Sequence, residues 1–409
     1  METDVVSNYW NVYHPGGVRG PEAEPYLEQK IAALIQELPV LGELFDIHWK
    51  IGEGTFSSVY LATLKESRSS GESKKFAVKH LIPTYPPARV ERELQCLRNI
   101  GGADNVVGIE FCVRSGASVA FVMPYIRHTK FSDYFCNMGT VELKHYMKAL
   151  LTALRKVHMF NILHRDVKPS NFLYDRRNRR YLLVDFGLAQ EYKEEKKVEM
   201  NKPQPMDNYC VKRKRTDENK RELLEETQKS ETESRCYCFG KPRVCSLCLT
   251  RPSQIASRAG TPGYRAPEVL FKCPHQTPAI DIWAAGVIML CILSASQPFF
   301  RSPDDCTALA EITALFGTDK MIACARKLGK KLLCSEQVPG ADIVSLCQKL
   351  RARVDRFPNR KYRINSPKTV LEENYPPEAF DLLLKLLEVD YKTRITADDA
   401  LQHPFLRGL

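Results

Sequence analysis

The sequence predicts an α+β fold of two lobes, a small antiparallel β-sheet lobe followed by a large, mainly α-helical lobe, with two insertions. Three observations carry this. Strand-like runs joined by glycine-containing turns fill the stretch from Ile47 to Met123. Apolar residues recur at helical spacing from Val141 onward. Between those patterns and the rest of the chain lies His164-Arg-Asp-Val-Lys-Pro-Ser-Asn171, and Asp185-Phe186-Gly187 follows fourteen residues after Asn171. That interval has room for a loop, one hairpin and a turn.

Composition narrows the class. The 409 residues are 44% hydrophobic, enough for sizeable cores. The longest apolar run, Ile282 to Ala295, is interrupted by Gly286 and Ser294. It is shorter than the ~20 residues that cross a bilayer, so it reads as a buried helix and no membrane partner is expected. Met1 to Tyr13 carries Glu2 and Asp4 and lacks a basic start before an apolar core, so no secretory signal is visible and the chain is expected inside the cell. In that reducing compartment the fourteen cysteines are expected as free thiols or metal ligands.

The elements follow in order. Residues 1–46 form an extension, aperiodic to about residue 25 and expected to be mobile there. Leu27, Ile31, Leu34, Ile35 and Leu38 then recur at helical spacing up to Pro39 and predict a short helix packed on the first lobe. The small lobe spans 47–126. It opens with Gly52, Glu53, Gly54, Thr55, Phe56, Ser57, Ser58 and Val59, a turn whose glycines let backbone amides approach phosphate oxygens. Alone it is weak evidence, but Ala77 and Lys79 follow on an apolar strand, where a lysine needs a counter-charge.

Glu93 is the expected partner, because Leu94 and Leu97 flank it as a core stripe while Glu91 sits beside Arg89 and Arg92. Only fourteen residues, three of them prolines, lead from Lys79 to Glu93. This truncated connection predicts a helix poorly held in the isolated chain and stabilised by a partner. The large lobe spans 127–409, and its helix from Val141 to Met159, with Leu143, Met147, Leu150, Leu151 and Leu154 on one face, delivers the loop at 164–171.

That loop and the Asp185 turn carry the residue types that phosphoryl transfer from ATP to a hydroxyl requires. Asp166 accepts and orients the hydroxyl, Asn171 and Asp185 hold Mg2+, and Lys168 steadies the charge on the transferring phosphate. Ala266-Pro267-Glu268 follows in the expected order, which makes a chance set of short motifs implausible.

Over residues 47–409 these motifs resemble the eukaryotic protein kinases, which implies the bilobal protein kinase fold. Lys168 two after Asp166, and Gly260-Thr261 ahead of Ala266, resemble the serine/threonine branch. The resemblance implies that Thr261 braces Asp166 and Lys168, and that Met123, Pro124, Tyr125 and Ile126 border the adenine at the hinge. It also implies that Asp281-Ile282-Trp283 and Gly286 belong to a buried helix, and that Arg394 pairs with Glu268. The third glycine of the usual phosphate loop is Ser57, which implies altered nucleotide affinity with activity retained.

Closer still, Gly-Glu-Gly-Thr-Phe-Ser-Ser-Val, Met-Pro-Tyr, His-Arg-Asp-Val-Lys-Pro-Ser-Asn-Phe-Leu-Tyr and Arg-Ala-Gly-Thr-Pro-Gly-Tyr-Arg-Ala-Pro-Glu-Val-Leu are similar to the cell division cycle seven kinases, also called Dbf-four-dependent kinases. This implies a nuclear kinase, activated by a regulatory subunit of the Dbf-four type, that phosphorylates minichromosome maintenance helicase subunits to start DNA replication. An inactive kinase-fold scaffold is the alternative. The filled proton, metal and lysine positions speak against it.

The first insertion, 191–257, lies within the 84 residues from Asp185 to Glu268. Its stretch 191–235 is polar and charged and is expected to order only on binding. Lys212-Arg-Lys-Arg215 reads either as a nuclear localisation signal or as a solvated basic run. Cys236, Cys238, Cys245 and Cys248 form two close pairs suited to a structural Zn2+, the alternative being free thiols or a redox pair. Arg258 and Arg265 are placed by the resemblance beside the acceptor site. There they favour an acidic or phosphorylated residue after the target, unless Arg265 serves a fold-stabilising ion pair. Arg165 is a candidate to hold a phosphorylated loop residue.

The second insertion, 316–372, has 13 Lys and Arg against 5 Asp and Glu, a surplus of eight positive charges. It reads as a docking surface that includes Ile343, Val344, Leu346 and Leu350. With no aromatic platform, a protein partner is expected and direct nucleic-acid binding is not. A zinc-dependent nucleic-acid-binding protein, the third reading, predicts steeply salt-dependent DNA binding.

Overall fold

The small lobe is a five-stranded antiparallel sheet whose two faces have different jobs. Its strands are β1 (Phe45–Gly54), β2 (Ser57–Leu64), β3 (Lys75–Leu81), β4 (Phe111–Ser115) and β5 (Ser118–Pro124), in the order β1-β2-β3-β5-β4. Side chains alternate across a strand. Phe76, Val78, Ala120 and Val122 therefore point to one face and Leu81, Val119, Phe121 and Met123 to the other. The first face is covered by helices α1 (Ala23–Glu37) and α2 (Pro39–Leu44) through Leu34 and Leu41, and by Leu38 between them. The second meets α3 (Pro87–Asn99) through Cys96 and Leu97. This computed structural model describes residues 23–54, 56–65, 74–192, 260–356 and 375–408.

The short helix expected to pack on the first lobe does so, and the sheet begins before residue 47. The outer sheet face is apolar and needs a cover, and β1 begins at Phe45, whose ring stands 5.3 Å from Phe76. α3 is docked against the sheet, with Glu93 only 1% exposed.

The large lobe is built on α4 (Thr140–Met159), followed by the short strands β6 (Ile162–Leu163), β7 (Phe172–Asp175), β8 (Arg180–Leu183) and β9 (Gln190–Glu191). β7 and β8 pair as the expected hairpin between Asn171 and Asp185. After residue 260 come α5 (Pro267–Leu270), α6 (Ala279–Ser294), α7 (Asp305–Phe316), α8 (Thr318–Lys327), α9 (Ile343–Arg356), α10 (Pro377–Leu386) and α11 (Ala397–Leu401). α6 is the interrupted apolar run, buried on every side. A Cβ at Gly286 would stand 2.8 Å from Leu387, so only glycine permits this approach to the chain end of α10. No described helix is long and apolar enough to cross a membrane.

The docking surface expected on the second insertion is overturned for its helix. Ile343 and Cys347 of α9 are buried, and Val344 and Leu346 pack against the same core as α6. Arg351 points inward and donates to Ile292 O (2.7 Å), Leu293 O (3.3 Å) and Cys136 O (3.0 Å). The last carbonyls of a helix have no intrahelical donor, so the end of a buried helix draws in a multidentate cation. Lys320 and Lys327 pair with Glu388 and Asp390, which further reduces the free basic charge.

Candidate active site

Lys79 lies on β3 opposite Val59 and Phe121, on the inner face. It meets Glu93 Oε1 at 2.5 Å and Asp185 Oδ1 at 2.8 Å. Burial works against its ammonium charge, but the Asp185 and Glu93 carboxylates outweigh this and hold its pKa above the ordinary lysine value. Burial likewise works against the Asp185 charge. Lys79, aided by Lys168 and His164, reverses the shift and brings that carboxyl down to about 2. Both groups are charged at neutral pH.

Asp166 is held by four donors. Thr261 N (3.1 Å) and Oγ1 (2.7 Å) reach Oδ1, while Asn171 Nδ2 (3.0 Å) and Lys168 Nζ (2.9 Å) reach Oδ2. Lys168 also donates to Thr261 Oγ1 at 2.8 Å, closing a ring around the carboxylate. The amide of Asn171 is used on one side only. Its Nδ2 binds Asp166, while its buried Oδ1 has no hydrogen-bond partner among the described residues. A bare buried acceptor on the same amide that holds Asp166 fits a hard cation taking oxygen ligands, here Mg2+ shared with Asp185.

Within the site, Arg165 at φ 68° and Asp185 at φ 69° stand in the left-handed backbone region. Such positions cost about 1–3 kcal/mol each and persist only where surroundings enforce them. At Arg165 the enforcer is Asp281, which accepts from Arg165 N (2.8 Å), His164 N (2.9 Å) and His158 Nε2 (2.9 Å). The Phe186 ring packs edge-on to His164 at 5.0 Å. The direct Lys79–Asp185 pair and the role of Asp281 were not apparent from the sequence. An acid inside an otherwise apolar helix was the available signal, since a buried carboxylate needs donors.

Among the nucleotide-loop residues, Gly52 and Val59 are buried, and Gly54 pairs with Ser57 across the turn. Ser57 lies close enough that a Cβ on Gly54 would stand 3.3 Å from its Oγ. Glu53 is exposed and bound to Lys50, and Phe56 is exposed at the tip. Ala77 pairs with Met123 across the sheet. Pro124 and Tyr125 continue into a buried Ile126, with Tyr125 N donating to Lys75 O. Thr55, Arg258 and the four cysteines Cys236, Cys238, Cys245 and Cys248 lie outside the described residues, as does the basic run 212–215.

Arg265 makes the ion pair that its sequence context left open. Its Nη1 binds Asp305 at 2.7 Å, and its Nε and Nη2 both donate to Gly260 O. The guanidinium ties the segment before Ala266 to α7, as the ion-pair alternative expects. Arg165 donates to Gln190 Oε1 at 2.7 Å, and burial, with Arg89 and Arg92 nearby, lowers its pKa to about 10. Glu268 and Arg394 pair as the resemblance implied.

A sheet lobe over a helical lobe, with a lysine–glutamate pair above and a braced aspartate below, defines the class of a protein kinase. A family model described as "Protein kinase domain" matches residues 45–214 and 244–406. The chain is 34% identical to "Cell division cycle 7-related protein kinase" of Mus musculus, covering 94% of each chain. It is 33% identical to "non-specific serine/threonine protein kinase Cdc7" of Drosophila melanogaster, over 92% of this chain and 76% of that one. It is also 33% identical to "Cell cycle serine/threonine-protein kinase hsk1" of Schizosaccharomyces pombe, over 93% of this chain and 78% of that one. The chain belongs to the protein kinase family and, within it, to the Cdc7-related serine/threonine kinases.

Proposed function

We propose that this kinase acts in the nucleus with a regulatory subunit of the Dbf-four type and phosphorylates minichromosome maintenance helicase subunits, promoting the start of DNA replication. The similarity to Cdc7-related and cell-cycle kinases over nearly the whole chain supports this reading. The observation that carries the chemistry is the Asp166 carboxylate held by Thr261, Asn171 and Lys168.

In this reading Asp166 orients the substrate hydroxyl and takes its proton as the oxygen attacks. Lys79, fixed by Glu93, binds the α- and β-phosphates, and Lys168 faces the γ-phosphate. Gly52 to Val59 cover the phosphates, and Ala77, Met123, Pro124, Tyr125 and Ile126 enclose the adenine. Asn171 Oδ1 and Asp185 would hold Mg2+. When bound, Mg2+ neutralises phosphate charge and fixes the phosphate geometry. A structural Zn2+ on the four cysteines of the first insertion remains part of the proposal.

Phosphate transfer from ATP to helicase-subunit peptides, by the chain alone and with the candidate subunit, tests it. Transfer that needs the subunit and vanishes in Asp166→Asn is expected. Transfer by the chain alone at the same rate would remove the subunit requirement, and none under any condition would remove the kinase reading.

A further inference from the structure

Only five residues, 82–86, join the strand that carries Lys79 to the helix that carries Glu93. Pro83, Pro86 and Pro87 fix φ and withhold amide donors, so the connection has few conformations. It folds as a turn in which Tyr85 N donates to Ile82 O at 2.9 Å, while Ile82 N donates to Phe56 O at 3.0 Å. Ile82, Pro83, Thr84 and Pro86 are exposed, yet Tyr85 between them is only 7% exposed.

The Tyr85 side chain bridges three parts of the site. Its ring lies 5.7 Å from the Phe56 ring at the tip of the nucleotide loop. Its hydroxyl donates to Gly187 O at 2.9 Å, in the turn that carries Asp185. It also stands near the Glu93 carboxylate, whose Oε2 is buried without a hydrogen bond among the described residues. Gly187 admits this approach because it has no side chain; a Cβ there would stand 2.9 Å from Tyr85 Oη. The Asp185 turn needs such an anchor. Asp185 holds a left-handed φ, and the local bond that supports it, Gly187 N to Asp185 Oδ1, is long at 3.3 Å.

We propose that Tyr85 is a positioning residue for phosphoryl transfer. Its hydroxyl latches the β3–α3 connection to the Asp185-Phe186-Gly187 turn and keeps Asp185 and Glu93 in register with Lys79 when the cleft closes on nucleotide. The inference rests on the kinase reading of this site. It also gives a structural reason why so short and proline-rich a connection holds α3 in place.

Tyr85→Phe keeps the ring on Phe56 and removes only the latch; Tyr85→Ala removes both. The full chain is assayed in the form in which the parent transfers phosphate, with Asp166→Asn as the inactive reference. The readouts are kcat, KM for the protein substrate, the Mg2+ concentration at half-maximal rate, and Tm. Tyr85→Phe is expected to lower kcat or raise the Mg2+ requirement about three- to tenfold, the effect of one hydrogen bond, with Tm and the protein KM unchanged. Tyr85→Ala is expected to lower Tm as well. A Tyr85→Phe chain with the parent's kcat and Mg2+ dependence overturns the latch, as does an activity loss that only follows a lower Tm. Should the parent transfer no more phosphate than Asp166→Asn, the kinase reading fails. The latch is then judged by Mg2+-dependent binding of a fluorescent ADP analogue, where an unchanged midpoint in Tyr85→Phe rejects it.

Discussion

Two buried ion pairs, one in each lobe, have opposite designs. Arg394 and Glu268 in the large lobe meet bidentately at 2.7 and 3.0 Å, and Arg394 also donates to Glu388 O, Ala279 O and Val389 O above the Trp283 ring. Lys79 and Glu93 in the small lobe meet through one carboxylate oxygen, with Oε2 left without a hydrogen bond among the described residues and Asp185 sharing the lysine. A fully saturated pair holds structure, whereas a partly saturated one keeps bonding capacity for a ligand.

The largest stability effect should therefore fall on the saturated pair. Arg394→Ala leaves Glu268 buried without a partner and should cost about 3–5 kcal/mol in urea unfolding at 25 °C. A loss below 1 kcal/mol would break the contrast.

Lys79→Met should do the reverse. Burial already pushes the Glu93 pKa up, so that carboxyl can neutralise itself by taking a proton, and the stability loss should be smaller than that of Arg394→Ala. Phosphate transfer should fall about 10²–10³-fold. Single-turnover rates and unfolding curves on the same preparation separate the two effects, and equal stability losses in both variants would refute the distinction.

Asp281→Asn probes a third buried charge, which supports the catalytic loop and touches no substrate. Burial raises the Asp281 pKa, but the hydrogen bond and charge of His158, with His164 and Arg165 N, outweigh it and leave it lowered. A lowered carboxyl pKa stabilises the fold above the ordinary aspartate range and loses that effect as pH falls through the folded value. The variant should lose about 2–3 kcal/mol at pH 7. Its Tm gap to the parent should narrow below about pH 4, and a gap that stays constant down to pH 3 would show that the Asp281 charge is not the cause.

The smallest effect is expected at Arg265. Arg265→Lys keeps one bond to Asp305 and loses the fork on Gly260 O, which should cost about 1 kcal/mol. The ratio of kcat/KM for acidic and neutral peptides should stay as in the parent. A shift of that ratio beyond threefold would restore a recognition role for Arg265.

Legibility followed distance along the chain. Asp166, Lys168 and Asn171 sit within six residues, and the fourteen-residue hairpin interval to Asp185 is local, so spacing alone brought them into one candidate site. Glu93 was separable from Glu91 because helical periodicity marks which face enters the core. The partners of Arg265 and Arg351 were not legible because they are remote. Asp305 lies 40 residues away from Arg265, and the carbonyls that Arg351 caps lie 58 and 59 residues before it. A cluster of basic residues has the same composition whether its charges face solvent or the end of a buried helix.

The sequence by itself determined the two-lobe class, the grouping of Asp166, Lys168, Asn171 and Asp185, and which acid would meet Lys79, because each is a matter of short spacing or periodic burial. The tertiary structure alone decided which face of the sheet residues 23–44 cover, that Asp281 holds the strained loop at 164–171, that Arg265 and Arg351 serve the fold, and that Tyr85 reaches Gly187. The physical reason is common to all four. A polar or apolar group is satisfied by whatever the fold brings within a few ångströms, and that partner is not encoded in the residues beside it.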